Sequence, residues 1–473
     1  MGLSYKQEGY CLGIKQVKVN VSELTVGMFV SGLDRPWTQT PFPLQGFYIR
    51  DLEEIRELKV HCEFVYIDVV KGVSPVRRTL KTLTKERMSR LKSDRDTKKR
   101  PAYVDVAPIK VRRDVYTEVQ PAKKEIGKAK ELHMRVYQAI GDVMEQVDSD
   151  HQHVPIGETK RLASEMVDSV IRSPDAFTWL TRVREKDEYT YSHAMRSAVW
   201  AILFGRHIGL PKAELDVLAM GALLKDIGKT RLPIALLTKE DRTEEEQRAY
   251  EKFIDYGVDI LRSLPDVKPR VTSVVKTHCE RIDGSGFPTG AQGDKIPLLG
   301  KIAGIVTFYD ETTHPRGRSQ PLAPSKAVAR LYDMRGREFQ EQLVVEFIRA
   351  IGLYPTGTLV ELSSGEIAVV VEQNFEWRLK PKVMVVINEY REALYEPQFL
   401  DMAEDDKKKQ ALIDAGKATP AELDRVEIVR DLEPDAYDVD IAAIRDQYLY
   451  GQHESKIRSL LNFTKSKLPG FSR

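Results

Sequence analysis

The chain has 473 residues, 42% of them hydrophobic and 30% charged, with 73 Lys and Arg against 71 Asp and Glu. At roughly 100–200 residues per domain, this length implies two to four domains of a soluble globular kind, and a net charge of +2 is too balanced to argue for a nucleic-acid partner. Cys11, Cys62 and Cys279 are few, odd in number and far apart, which argues against a disulfide framework and for a reducing compartment.

The opening stretch, "MGLSYKQEGYCLGIKQVKVN", has no apolar core of signal-peptide type. Tyr5-Lys6 does not supply the Ser or Thr of a myristoylation motif. The most apolar run, "SAVWAILFGRHIGL", is interrupted by Arg206 and His207 and is too short to span a bilayer. The expectation is a cytoplasmic protein without a transmembrane segment.

Residues 15–72 read as a small α+β domain. "KQVKVNVSEL" alternates as a strand does, "DLEEIRELKV" has helical periodicity, and "CEFVYIDVV" reads as a second strand. Trp37, Pro41, Phe42, Pro43 and Phe47 crowd the intervening loop, either as a local apolar cluster or as a surface for a partner or ligand. Residues 73–121 read as a linker, and their segment "RRTLKTLTKERMSRLKSDRDTKKR" is strongly basic. Such a run suits anionic lipid or nucleic acid, but it lacks interleaved aromatics, which weighs against nucleic acid.

From 122 to 355 the apolar residues recur at helical spacing, with Pro and Gly as punctuation. "GKAKELHMRVYQAIGDVMEQV", "ETKRLASEMVDSVIRS", "YSHAMRSAVWAILFGRHIG", "PKAELDVLAMGALLKDIG", "EEEQRAYEKFIDYGVDILRSL" and "KPRVTSVVKTHCERI" each predict a helix. Residues 356–395 alternate and turn at "SSGE", which predicts a small β unit. Residues 396–473 predict a charged segment and a last helix. The fold class expected is multidomain and mainly α-helical, with a small N-terminal α+β domain and a small β unit after the helical core.

Three helical segments carry residues of metal-ligand type: His193 in "YTYSHAM", Asp226 with Lys229 in "LLKDIGK", and His278, Cys279 and Glu280 in "HCERIDGSGFP". His and Asp side chains converging from separate helices are how many hydrolytic metal sites are built. His151 and His153 in a polar "HQH", and the scattered His61, His133, His207, His314 and His453, read as surface or packing residues.

"GALLKDIGKTRLP" followed by "HCERIDGSGFP" resembles the HD-GYP family of cyclic-di-GMP phosphodiesterases, a bacterial second-messenger branch of the HD superfamily. "YTYSHAM" resembles the family's first His helix, "IVTFYDETTHPRGR" its downstream segment, and residues 15–72 the small domain that often precedes this module. The resemblance implies a dinuclear metal centre with Asp226 as the bridging carboxylate, and Asp226 and Lys229 as the family's catalytic positions. It departs from the family at the ligands. Lys225 stands where the family has the His of its His-Asp pair, Phe253 in place of a His, Cys279 in place of the second His of its motif, and Thr307 in place of an Asp, while Asp310 survives three residues later.

His193, Asp226 and His278 remain, and Cys279 is a permissive replacement, so the set implies no metal or one zinc or iron ion held by Asp226, His278 and Cys279 with His193. Lysine offers no lone pair unless deprotonated, and phenylalanine offers no donor atom. Lys225 is therefore expected to stand in part for the missing metal charge beside Asp226. Lys229 and Arg316 match the family residues that contact substrate phosphate. Phe287 takes the place of the family Tyr in the loop Asp283, Gly284, Gly286, Phe287 and Pro288, which keeps its turn residues.

The reading is a non-hydrolytic signalling protein, a pseudoenzyme. It would act by binding cyclic-di-GMP or by docking diguanylate cyclases or other signalling proteins through that loop. Two alternatives stay open: a phosphodiesterase working with a single metal, and a regulatory scaffold that does not bind the nucleotide.

Overall fold

The computed structural model describes residues 16–450, except 35–39, 41, 43–45, 50–51, 69–103, 105, 149–154, 182–188, 265, 318–319, 375–376, 418, 420–422, 424 and 435. The chain divides into two compact units, Met1–Arg100 with Phe375–Leu379, and Pro101–Asn374 with Lys380–Arg473. Trp37, Pro41 and Pro43, the basic stretch at 77–100, the "HQH" histidines and everything after Tyr450 lie outside the described residues.

The first unit is an antiparallel sheet of β1 (Gln16–Asn20), β2 (Phe29–Leu33), β3 (Phe47–Tyr48) and β4 (Phe64–Asp68), in the order β1-β4-β2-β3. Alternation aims Val19, Val30, Val65 and Ile67 at one face, where helix Leu52–His61 covers them with Ile55 and Leu58. Phe42 and Phe47 are both buried in this core and stack with centroids 4.9 Å apart. The expected α+β character is what forms.

The second unit is a helical core with a sheet attached. Its helices include Ala122–Asp148, Ile156–Arg172, Pro174–Thr181, Tyr189–His207, Lys212–Leu224, Pro269–Thr277, Leu298–Thr313, Pro324–Met334 and Glu341–Ile351. Helices Tyr189–His207 and Leu298–Thr313 are buried on most of their surface, so they form the centre of the bundle.

One expected helix is two. Residues 244–264 divide into Glu244–Glu251 and Phe253–Ser263, with Lys252 between them. The first piece starts with a capping box from Thr243 and Glu246 and buries no residue. The second buries Phe253, Ile254, Gly257, Val258, Ile260 and Leu261, so the break turns a new face inward. The helix expected over 268–282 also ends early, at Thr277, with His278 as its C-cap, which frees "CERIDGSGFP" to form a loop.

The β unit is larger than its alternating pattern predicts. β5 (Leu359–Leu362), β6 (Ile367–Glu372) and β7 (Lys382–Ile387) are joined by β8 (Ala393–Asp401) and β9 (Ile428–Asp431) in an antiparallel sheet ordered β8-β7-β6-β5-β9. The charged stretch contains helix Met402–Asp414, whose N-terminus is capped by Asp401 accepting from the Glu404 amide. No helix among the described residues is long and apolar enough to cross a membrane.

Candidate functional site

Four helices bring the chemistry together. His193 lies in Tyr189–His207, Lys225 and Asp226 follow the end of Lys212–Leu224, His278 caps Pro269–Thr277, and Thr307 and Asp310 lie in Leu298–Thr313. The 3-10 turn Ile227–Arg231 carries Lys229. It presses against Phe253–Ser263 so closely that a Cβ on Gly228 would lie 1.9 Å from the Phe253 carbonyl oxygen. That approach, open only to glycine, holds Asp226 and Lys229 beside the Phe253 ring.

His193, Lys225, Asp226, His278 and Asp310 are all at most 1% exposed. Lys225 Nζ donates to His193 Nε2 at 2.6 Å and to Asp226 Oδ2. The other oxygen of Asp226 pairs with Lys229 Nζ at 2.7 Å. His193 Nδ1 lies 2.7 Å from Asp310 Oδ2, and Asp310 is also held by Arg196 Nε at 2.8 Å. With Nε2 accepting from an ammonium, the proton of His193 sits on Nδ1 and is donated to Asp310.

Charge follows from this geometry. Burial alone would raise the Asp226 carboxyl, but Lys225 and Lys229 outweigh it and hold it well below the carboxylate range. Burial would lower the Lys229 ammonium, but Asp226 holds it well above the lysine range. Burial and then Lys225 lower both histidines, His278 to about 3. Burial pushes the Cys279 thiol up to about 12, so with no metal cation beside it the group is a neutral thiol.

Among the described residues, no group of three or more His, Cys, Asp or Glu side chains is placed to hold a metal ion. The single-metal alternative left open by the sequence, one zinc or iron held by His193, Asp226, His278 and Cys279, finds no such group among the described residues. The reason lies in the neighbours. The His193 lone pair is taken by Lys225. Phe253 meets His278 edge-on at 6.0 Å and Phe287 at 6.2 Å, filling space with carbon. Thr307 Oγ1 is buried without a hydrogen-bond partner among the described residues. These donors, as placed, do not fit a divalent metal.

Above this buried centre opens a cleft of about 390 Å³. Five cations, Lys229, Lys239, Arg242, Arg281 and Arg316, line it against three acids, Asp226, Glu240 and Glu311. Tyr189, Tyr250, Phe253 and Phe287 supply aromatic walls. Arg242 lies 4.0 Å from the Tyr250 ring centroid, and Arg316 lies 5.0 Å from that of Tyr189 while donating to Thr190 Oγ1 at 2.7 Å. Lys229 Nζ also sits 4.8 Å over Phe253.

The loop after Cys279 forms one wall. Glu280 accepts from the Thr289 amide and hydroxyl at 2.9 and 2.6 Å and from the Ala291 amide at 2.9 Å. Asp283 accepts from the Ser285 amide at 3.0 Å, and Gly284 takes a φ of +83°. Phe287 is half-buried against Leu232, Phe253 and Ile254, with its ring turned into the cleft. Sequence reading placed Lys229 and Arg316 near the site, and the structure puts both on the cleft. It missed Tyr189, Arg196, Arg242 and Tyr250. Tyr189 and Arg196 were within reach, since they lie four before and three after His193 on one helix.

Residues 181–343 match the HD domain family, and residues 16–153 match a domain of unknown function, DUF3391. The cyclic di-GMP phosphodiesterase PA4108 of Pseudomonas aeruginosa is 28% identical over 390 residues, spanning 81% of this chain and 88% of that protein. The chain carries an HD domain and is similar to cyclic di-GMP phosphodiesterases of the HD-GYP type. Other relatives match this chain over a smaller part of their length. The cyclic di-GMP phosphodiesterase response regulator RpfG of Xanthomonas campestris is 29% identical over 40% of this chain and 51% of its own. A 3'3'-cGAMP-specific phosphodiesterase, number 2, of Vibrio cholerae is 30% identical over 34% and 31%. Among solved structures, the HDG"Y"P protein Bd1817 of Bdellovibrio bacteriovorus aligns at a TM-score of 0.42 and 15% identity, covering 70% of this chain and 98% of that one.

Proposed function

We propose that this protein binds cyclic di-GMP in the cleft above Asp226 and does not hydrolyse it. The observation that carries the binding is the cleft itself, where five cations stand among four aromatic rings. Cations at Lys229 and Arg316 suit the two phosphates of a cyclic dinucleotide, and aromatic faces suit its purines. The named relatives include phosphodiesterases of cyclic di-GMP and of 3'3'-cGAMP, both cyclic dinucleotides.

The argument against turnover is chemical. Phosphodiester hydrolysis needs an activated water, and the dinuclear route supplies it from two metals held by imidazoles and carboxylates. Here Phe253 and Thr307 stand where such donors would be needed, and His193 already accepts from Lys225.

Calorimetry with cyclic di-GMP tests the binding. Wild type should bind, and Arg316→Ala should weaken affinity about tenfold, the loss of one charge-assisted contact. Equal heats from wild type and Arg316→Ala would sink the placement of the ligand. Incubation with Mn²⁺ and cyclic di-GMP should release no linear dinucleotide. Turnover that disappears in Asp226→Ala would overturn the non-hydrolytic reading.

A further inference from the structure

We propose that the Lys225 ammonium is the permanent cation of this centre, so that the protein excludes a divalent metal and its ligand binding needs none. The second clause rests on the proposed nucleotide site; the first does not.

The positions of three side chains make the case. A divalent ion at this centre would need the His193 Nε2 lone pair and an oxygen of Asp226. Lys225 Nζ donates to both of these atoms, to His193 Nε2 at 2.6 Å and to Asp226 Oδ2. The two acceptors lie 3.5 Å from each other, so one small cation touches both.

The imidazole cannot turn to offer another lone pair. Its Nδ1 is committed to Asp310, which Arg196 holds in turn. Asp226 cannot turn either, because Lys229 engages its second oxygen at 2.7 Å. Each carboxylate oxygen thus faces its own ammonium, and the buried negative charge is met without an ion from solution.

Lys225 is fully buried, whereas Lys229 lines the cleft. The two lysines therefore divide the work a metal pair would do. Lys225 neutralises and fixes the buried side of Asp226, and Lys229 presents positive charge to an incoming phosphate.

Elemental analysis and Mn²⁺ or Zn²⁺ calorimetry on the full chain test the proposal, using wild type, Lys225→Met and Lys225→His. Wild type and Lys225→Met should take up no stoichiometric metal. Lys225→His removes the ammonium, frees the His193 lone pair and adds an imidazole beside Asp226. Three donors then converge, and this variant should bind about one Zn²⁺ per chain. Cyclic di-GMP affinity of wild type should change less than twofold on adding EDTA.

Wild type that purifies with a stoichiometric metal, or binds Mn²⁺ or Zn²⁺ tightly, overturns the proposal. That arm reads wild type directly, so it stands even if Lys225→His fails to fold. If wild type excludes metal but binds no cyclic di-GMP, the nucleotide assignment falls and the internal cation remains. If wild type binds the nucleotide only with a metal present, the internal cation falls and the nucleotide assignment remains.

Discussion

A lysine with no exposed surface is tolerated only where its N–H groups find acceptors, and Lys225 finds them in His193 and Asp226. Removing one partner of a buried ion pair leaves the other charge uncompensated, at about 3–5 kcal/mol. Lys229 still engages Asp226, so Lys225→Met should fall at the lower end, about 3 kcal/mol by urea denaturation. Adding Asp226→Asn should deepen that loss, because it leaves the buried Lys229 ammonium without its carboxylate, and a double variant no less stable than the single would refute the pairing. The buried histidines give a second expectation. His133 is pushed down to about 4 and His278 to about 3, in both cases first by burial. Their folded pKa values lie below the unfolded value near 6.5, so the unfolded chain binds protons first as pH falls. Stability is full above about 6.5 and is lost as pH falls toward the folded values, roughly 2 kcal/mol for each histidine by pH 5. Asp175, raised to about 6 by burial and then by Glu372, works in the opposite sense by about 1 kcal/mol. Urea unfolding should therefore show a net loss on the order of 3 kcal/mol between pH 7 and pH 5, and equal stability at both would count against neutral buried imidazoles.

At the scale of elements, the loop after Cys279 is built on Glu280 and Gly286. Glu280 ties Thr289 and Ala291 to the helix end, and a Cβ on Gly286 would lie 2.4 Å from both the Cys279 carbonyl oxygen and the Arg281 amide nitrogen. Glu280→Ala should cost about 2 kcal/mol or more and speed proteolytic cleavage within 283–292, while a protease pattern like wild type would show that the loop holds without it. This loop, the helices and strands β1 and β4 were legible in the sequence, because their periodicity and turn residues are local signals, whereas β2 and β3 lie in a stretch that reads as a loop. Three other features were not. The break at Lys252 falls inside an unbroken helical pattern without Pro or Gly at the joint, and only the change of buried face from one piece to the next reveals it. β8 is an edge strand with most of its residues exposed or half-exposed, so it carries no apolar alternation to read. The bond from Lys225 to His193 joins residues 32 apart on different helices; the sequence suggested Asp226 as the partner of Lys225 and had no means to show the second acceptor.

At the scale of the molecule, each unit has its own buried core, Val30, Leu58, Val65 and Ile67 in the first and the helical bundle in the second. Separate cores predict separate unfolding transitions, since cooperativity follows the contacts that are lost together. All the cleft residues belong to the second unit. A ligand that binds only one folded unit stabilises that unit by RT ln(1 + [L]/Kd), about 2.7 kcal/mol at a hundredfold excess over Kd. Scanning calorimetry of the full chain should then show cyclic di-GMP raising one transition and leaving the other in place. A chain starting at Pro101 should keep the responsive transition and show the same shift. If both transitions move together, or if the shortened chain loses the response, the first unit takes part in holding the ligand. In that case the cleft alone does not account for binding.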